Sequence, residues 1–390
     1  MTASKKLRIG FIPLVDAAAL IVAIDKGFAA EEGLDVELVR EVSWSNVRDK
    51  LNIGLFDAAH LLAPVAIASN LGIGHVRVPI IAPFNLGLNG NAITVTNALK
   101  KALEDKAEGD LTDPKVSAKA LAAIVAERKR KGQPPLNFGM TFPFSTHNYQ
   151  LRFWMASAGV DPDEDVQMVV LPPPFMVESI VNGHVDAFCV GAPWNSVAVD
   201  LGIAHILHFV SEILQRAAEK VLALRTAWAA ENPESVAALL RAHKKAADFI
   251  EDEANREESC RIISAPNRLN VAPEITRRTL DGRLKVSPDG SYRESNRYLM
   301  VGRRGAARPD PAQASWLYAQ MVRWGQAPLS ENLLNAARTT FRPDLYDDVL
   351  GAGDLPPSGE PKDGVGAFDG PPFDPLDLEK HLATWNVRRR

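Results

Sequence analysis

Three short segments carry side chains whose types and spacing suit the capture of a small anion. Val42-Ser-Trp-Ser-Asn46 stands where an alternating strand gives way to a helix. The first turn of a helix leaves unpaired N–H groups and the positive end of its dipole, and both favour a negative guest. Trp44 can flank such a guest or donate its indole N–H to it, and it can equally just fill a lobe interior. Thr141-Phe-Pro-Phe-Ser-Thr-His-Asn-Tyr149 repeats the pattern. There His147, at the helix start, can donate to an anion oxygen or merely cap its helix. Glu219-Lys-Val-Leu-Ala-Leu-Arg225 sets Lys220 at the mouth of an apolar strand. Facing a cleft, that ammonium supplies a full positive charge; facing water, it does nothing.

Signals for other chemistry are weaker. The sequence has no G-x-S-x-G, Walker loop, paired Cys/His nucleophile or metal-ligand cluster. Gly72-Ile73-Gly74 is too short for a dinucleotide fingerprint. The two cysteines, Cys189 and Cys260, stand in unrelated contexts and read as inert core thiols. A non-enzymatic binder with no cofactor and no metal is expected.

The elements that must position these residues alternate. Residues 7–12 read as a strand, Asp16 as the cap of an apolar helix over 17–26, and 34–42 as a second strand. A helix over 43–55, a strand at 58–60, a helix near 64–71 and strands at 78–83 and 92–95 follow. Residues 97–135 differ: they are helical and heavily charged with both signs, the pattern of a solvated insertion. A second α/β series begins at 137 and closes with a strand at 206–209. Beyond a strand at 221–224, the chain to about 350 is largely helical. Residues 351–372, rich in Gly, Pro and Asp, read as a wrapping tail without packed structure, followed by a short docking helix within 374–385 and a terminal Arg388-Arg389-Arg390.

The domain division is therefore 1–96 for the first part of lobe 1, 97–135 for the insertion, 136–215 for lobe 2, 216–350 for the return to lobe 1, and 351–390 for the tail. Two α/β lobes with a cleft at the carboxyl ends of their strands are expected.

Composition agrees with a globular chain. Of 390 residues, 46% are hydrophobic and 24% charged, and the net charge is −4. No basic field is available for direct nucleic-acid binding. No stretch approaches the roughly 18–20 apolar residues of a membrane span. Met1 to Lys6 run straight into the first strand without the apolar core of a secretory leader, which predicts a cytoplasmic location.

Several motifs resemble a known family. Phe11-Ile-Pro-Leu, Asp25-Lys-Gly-Phe28, Ser43-Trp44 with Arg48-Asp49, and Asn89-Gly-Asn-Ala-Ile93 are similar to the nitrate/bicarbonate solute-binding proteins of bacterial ABC transporters. The closest stretch runs from Met140-Thr-Phe-Pro through Thr146-His147 and Arg152-Phe-Trp154 to Gly159-Val-Asp-Pro162. It continues through Pro172-Pro-Pro174, Asp186-Ala-Phe-Cys-Val-Gly191 and Pro193-Trp-Asn195.

The resemblance implies a type II periplasmic-binding-protein fold with the anion in an interlobe cleft. It implies ligand contacts from Trp44, His147 and Lys220, and a shorter-armed one from Asn91; Asn46, beside the first helix start, is a further candidate from its position alone. Asn91 falls where the family has a longer Gln, and Ala192 where it has a Glu. Bicarbonate binders of the family carry an acid and a calcium ion near position 220. Lys220 supplies positive charge directly, so a donor-only shell for nitrate or nitrite is expected.

With no leader, the chain is similar to cytoplasmic nitrate/nitrite sensors of the NasS type. That implies control of nitrate-assimilation genes through a NasT-like, RNA-binding antiterminator partner. The alternative is the solute-binding component of a nitrate ABC transporter. An enzyme on the same fold, such as a thiamin-pyrimidine synthase, carries a cysteine-rich motif that two isolated cysteines do not match.

Overall fold

The structure is a computed structural model that describes residues 6–387; the start of the expected leaderless N-terminus and the terminal arginine run lie outside those residues. The strands in chain order are β1 (Leu7–Phe11), β2 (Val36–Arg40), β3 (Ala58–Leu62), β4 (Ile80–Asn89), β5 (Asn91–Thr96), β6 (Asn137–Met140) and β7 (Gln167–Val170). They continue with β8 (Ala187–Gly191), β9 (Ala204–Phe209), β10 (Ala218–Arg225), β11 (Arg283–Lys285), β12 (Tyr292–Glu294) and β13 (Leu299–Met300). A six-stranded sheet of order β13-β4-β10-β3-β1-β2 forms lobe 1, and a five-stranded sheet of order β7-β6-β8-β5-β9 forms lobe 2.

Each sheet has a parallel part built from βα units and an antiparallel strand that arrives from the other lobe, and in lobe 1 the short edge strand β13 is antiparallel to β4 as well. In lobe 1, β1 pairs in parallel with β2 and β3, whereas β10 runs antiparallel to β3, with Lys220 opposite Leu62. In lobe 2, β6 pairs in parallel with β7 and β8, whereas β5 runs antiparallel to β8, with Asn91 opposite Gly191. An antiparallel strand brings its first residues to the carboxyl ends of its parallel neighbours. Lys220 and Asn91 therefore both arrive at the edge where α/β sheets hold ligands.

The chain crosses between lobes at Asn89-Gly90 and again at 210–217. Asn89 and Gly90 both have left-handed backbone, with φ of 60° and 89°. A short polar side chain and a glycine tolerate that region best. The Asn89 amide also ties the crossings together, donating to the carbonyl oxygens of Gln215 and Arg297 and accepting from the Ala217 N–H.

Four expectations need correction. Asp16 does not cap the first helix: it lies inside a 3-10 turn (Val15–Ala17), and the cap of the helix Ala18–Asp25 is Ala17 with no side-chain bond. A boundary at 96 assigns β5 to lobe 1, but its ladder lies wholly in the lobe 2 sheet. An isolated strand carries no mark of which sheet it joins, so the sequence does not reveal this.

The charged segment 97–135, expected as a solvated insertion, keeps its charges outward but packs on lobe 2. Its helices, Asn97–Lys106 and Pro114–Arg130, pair their outward charges within one helix, as in Lys101–Asp105, and between the two, as in Lys106–Glu127. Their inner faces bury Leu99, Leu103, Leu121 and Ile124, and Ser117 bonds to His208 and Trp154 in the lobe 2 interior.

The tail is packed as well. It lies along the second crossing, with Gln215 and Arg216 N–H groups donating to the carbonyls of Gly366 and Val365. Its short helix, Leu378–Ala383, leads to Trp385, whose ring lies 5.0 Å from Phe153 of lobe 2. Phe153 also meets Phe368 of the tail and Trp316 of the long helix Pro311–Arg323 at 5.7 and 6.1 Å. Edge-on aromatic pairs add about 0.5–1.5 kcal/mol each beyond their buried area. The tail and that helix thus bind lobe 2 to the helical half of lobe 1. Among the described residues, no helix is long and apolar enough to cross a membrane.

Candidate functional site

Two helix starts face the interlobe seam, and each is closed by a serine. Ser43 accepts from the Asn46 N–H at 3.3 Å at the head of the helix Trp44–Asn52. Ser145 accepts from the Asn148 N–H at 3.1 Å at the head of the helix Thr146–Ser157. A serine cap satisfies one orphan N–H and leaves the positive dipole end facing outward.

Lys220 sits between the lobes and is fully buried. Its Nζ lies 2.7 Å from Asp16 Oδ2, donates to Asn91 Oδ1 at 3.2 Å, and lies 3.5 Å from His147 Nε2. Asp16 belongs to lobe 1, while Asn91 and His147 belong to lobe 2, so the ammonium is shared across the seam. The other Asp16 oxygen meets His60 Nε2 at 3.0 Å, and the Ile12 N–H faces His60 Nδ1 at 3.4 Å. The backbone donor leaves Nδ1 unprotonated, so the hydrogen on Nε2 points at the carboxylate. The Trp44 ring lies 5.3 Å from the His60 ring, and its buried indole N–H has no hydrogen-bond partner among the described residues.

A second carboxylate faces the same space. Glu219 is fully buried and accepts from Asn91 Nδ2 at 2.5 Å, from Gln150 Nε2 at 2.7 Å and from the Thr146 hydroxyl. All three donors come from lobe 2. Adjacent residues of a regular strand point to opposite faces, so Glu219 and Lys220 would normally diverge. A register shift between Ala218 and Lys220 in the β10–β4 ladder breaks the alternation and turns both toward the seam. Bulges commonly re-aim side chains in this way at functional sites. Gly191 gives the cluster room: a Cβ there would stand 3.3 Å from Asn91 Oδ1 and Asp16 Oδ2 and 3.4 Å from Lys220 Nζ.

Electrostatics follow from burial and pairing. Burial alone would raise the Asp16 carboxyl, but the Lys220 ammonium and His60 more than reverse this and hold it at about 2. Burial pushes Glu219 up, only partly offset by Lys220, Thr146 and Gln150. Burial and the Lys220 charge push His147 well down, so its ring is neutral. Burial also lowers His60, against the pull of Asp16. With Lys220 donating toward Nε2, the His147 hydrogen lies on Nδ1 and meets Thr141 Oγ1 at 3.0 Å. A hydroxyl both gives and takes a proton, so Thr141 can serve either tautomer. His147 can therefore present Nε2–H to an anion once Lys220 turns toward that anion.

Of the residues expected from sequence, the structure brings Lys220, His147 and Asn91 into one hydrogen-bonded group, with Trp44 beside His60 at its edge. Asn46 does not join them. It is exposed, and its amide donates to Glu41 at 3.3 Å. The expected donor-only shell is also corrected, because two carboxylates, Asp16 and Glu219, stand against the ammonium. Asp16, His60, Gln150, Glu219 and Gly191 were missed. His60 did carry a signal, being the one polar residue in Ala58-Ala-His-Leu-Leu62, a strand buried along its whole length.

The NMT1-like family model matches residues 2–264. The nitrate/nitrite binding protein NrtA of Synechococcus elongatus is 30% identical over 389 residues, covering 97% of this chain and 85% of that protein. The bicarbonate-binding protein CmpA of the same species is 27% identical, covering 99% and 87%. The crystal structure of the periplasmic nitrate-binding protein NrtA from Synechocystis PCC 6803 superposes with a TM-score of 0.87 at 28% identity, covering 99% of both chains. The chain has a periplasmic-binding-protein fold and belongs to the NMT1-like family of NrtA- and CmpA-like solute-binding proteins.

Proposed function

We propose that the chain binds nitrate or nitrite between its lobes, as the solute-binding component of an ABC import system. One observation carries this reading: a fully buried ammonium, Lys220, is held at the seam by groups from both lobes. A charge held away from water attracts an anion more strongly than one in solvent. The unpartnered Trp44 N–H and the switchable His147 tautomer add neutral donors. Relatives named for nitrate/nitrite binding support the choice of ligand.

Titration calorimetry with nitrate, nitrite, bicarbonate and sulfate tests it. Nitrate and nitrite are expected to bind, bicarbonate about tenfold more weakly, a difference of about 1.4 kcal/mol, and sulfate not at all. Bicarbonate is the serious competitor, because Asp16 and Glu219 can accept its proton. Tighter binding of bicarbonate than of nitrate sinks the reading.

A solved relative described as periplasmic favours a transport receptor over a cytoplasmic sensor acting on a NasT-like antiterminator. Cell fractionation separates the two. Protein found only in the cytoplasm, together with an RNA-binding partner in pull-downs, reverses their order.

A further inference from the structure

The seam holds more negative than positive charge. Lys220 supplies one positive charge, and Asp16 cancels it at 2.7 Å. Glu219 Oε2, 3.9 Å from the same Nζ, adds a negative charge with no cation of its own. The capped helix starts at Trp44 and Thr146 contribute roughly half a charge each, which brings the ligand-free seam near neutrality. A monoanion entering this buried space leaves it one charge short, where low dielectric makes like charges repel strongly. The imbalance vanishes if a proton enters with the anion.

Every titratable group facing the seam can be weighed as the acceptor. On the 3-10 turn, Asp16 is committed to Lys220 and His60, and protonation would release both. His60 on β3 has Nδ1 occupied by the Ile12 N–H. His147 at its helix start faces the Lys220 ammonium at 3.5 Å, so a second positive charge there is opposed. Cys189 on β8 lies 3.9 Å from Gln150 Oε1 as a neutral thiol, and burial raises it and Tyr298 further. Glu219 remains. It is fully buried, burial disfavours its charge, and the Thr146 hydroxyl beside it can rotate from donor to acceptor when a carboxylic hydrogen arrives.

We propose that the seam takes up its monoanion together with one proton, and that Glu219 is the group that receives the proton. The inference rests on the monoanion reading given above. It makes Glu219 a positioning and selectivity residue. Ionised, it holds the Asn91, Thr146 and Gln150 donors of lobe 2; protonated, it no longer repels the guest.

Calorimetry of nitrate binding in buffers of different ionisation enthalpy counts the protons. For the wild-type protein, close to one proton is expected per nitrate, with affinity falling up to about tenfold per unit of rising pH. Glu219→Gln should remove both the proton uptake and the pH slope, leaving the variant the tighter binder at alkaline pH. Infrared spectroscopy supplies a readout that needs no variant, since the band of a protonated carboxylic acid should appear when nitrate is added to the wild type. Nitrate binding with buffer-independent heat between about pH 6 and pH 9 overturns the inference while leaving the monoanion reading intact. Unchanged proton uptake in Glu219→Gln overturns the assignment to Glu219. Failure of nitrate, nitrite and bicarbonate all to bind removes both readings.

Discussion

Two buried ionic clusters in this molecule are near mirror images. At the seam, one base (Lys220) faces two acids (Asp16 and Glu219). Below the second crossing, one acid (Glu360 of the tail) is held by three bases: Arg216 at 3.3 Å, Arg297 at 2.5 Å and Arg304. The arginines lie on separate segments, and Arg216 also donates to the Arg304 and Gly305 carbonyls. A guanidinium keeps its proton and offers fixed, planar donors, so the Glu360 cluster has one stable arrangement. Its carboxyl is pushed up by burial but held below the ordinary range by Arg304 and Arg297. Every member of the seam cluster can rotate, change tautomer or exchange a proton. The Glu360 cluster is therefore a staple, and the seam cluster can reorganise around a guest.

Substituting the central charge of each cluster should separate these roles. Lys220→Ala removes the one cation that the described residues place at the seam and strands a buried carboxylate. Nitrate binding should fall by at least one to two decades, since charge-assisted hydrogen bonds are worth about 1.5–3 kcal/mol each. Stability should drop by about 3–5 kcal/mol, the usual result of breaking one side of a buried pair. Calorimetry and urea unfolding measure the two effects, and unchanged affinity refutes the site. The double variant Asp16→Asn/Lys220→Met should recover much of the stability but none of the binding, because it removes both charges at once.

Glu360→Ala should do the reverse. Three arginines lose their shared acceptor, but Arg297 and Arg304 are partly exposed and can turn to water. A loss of about 2 kcal/mol is expected, with faster proteolysis of the tail and nitrate affinity unchanged. If affinity falls as far as in Lys220→Ala, the tail is part of the binding machinery, and the distinction between staple and site is wrong.

What the sequence made legible follows the range of the interactions. The α/β alternation and two-lobed plan are local patterns of apolar spacing, and they were readable from residues 7 to 209. Ser43 was readable as a helix start for the same reason, whereas the second helix, expected to begin at His147, begins at Thr146 under a Ser145 cap. Glu219 was not. Strand alternation places it opposite Lys220, and only a bulge against β4 brings the two together. Asp16 misled because an acid before an apolar helix looks like a cap, whereas its real partners lie 44 and 204 residues further along the chain. The tail misled for a related reason. Gly, Pro and Asp signal irregular backbone, but Asp363 turns that backbone into structure by accepting from the N–H groups of Val365, Gly366 and Phe373.

The seam pair also sets an acid limit. Asp16 is held at about 2 against an ordinary 3.8. A carboxyl depressed on folding contributes stability that is complete above its unfolded value and is lost as pH falls through its folded one. The gap corresponds to about 2 kcal/mol, disappearing between roughly pH 4 and pH 2. Asp16→Asn should flatten that part of the stability curve. An equal slope in the variant assigns the acid loss elsewhere, with Glu360 the first alternative.

The smallest effect should come from His147, and its size tests how the seam divides its work. The ring is neutral because burial and the neighbouring ammonium oppose its protonation. It can therefore offer an anion only a neutral hydrogen bond, worth about 0.5–1.5 kcal/mol. His147→Ala should weaken nitrate by about tenfold at most, and His147→Gln, which keeps a donor, should recover part of that. Because the ring stays neutral in the wild type, its share of the binding energy should not change across neutral pH, unlike the share assigned to Glu219. A loss larger than that of Lys220→Ala, or one that grows as pH falls, means that the imidazole and not the ammonium carries the charge that meets the anion. The proton proposed for Glu219 would then belong to His147.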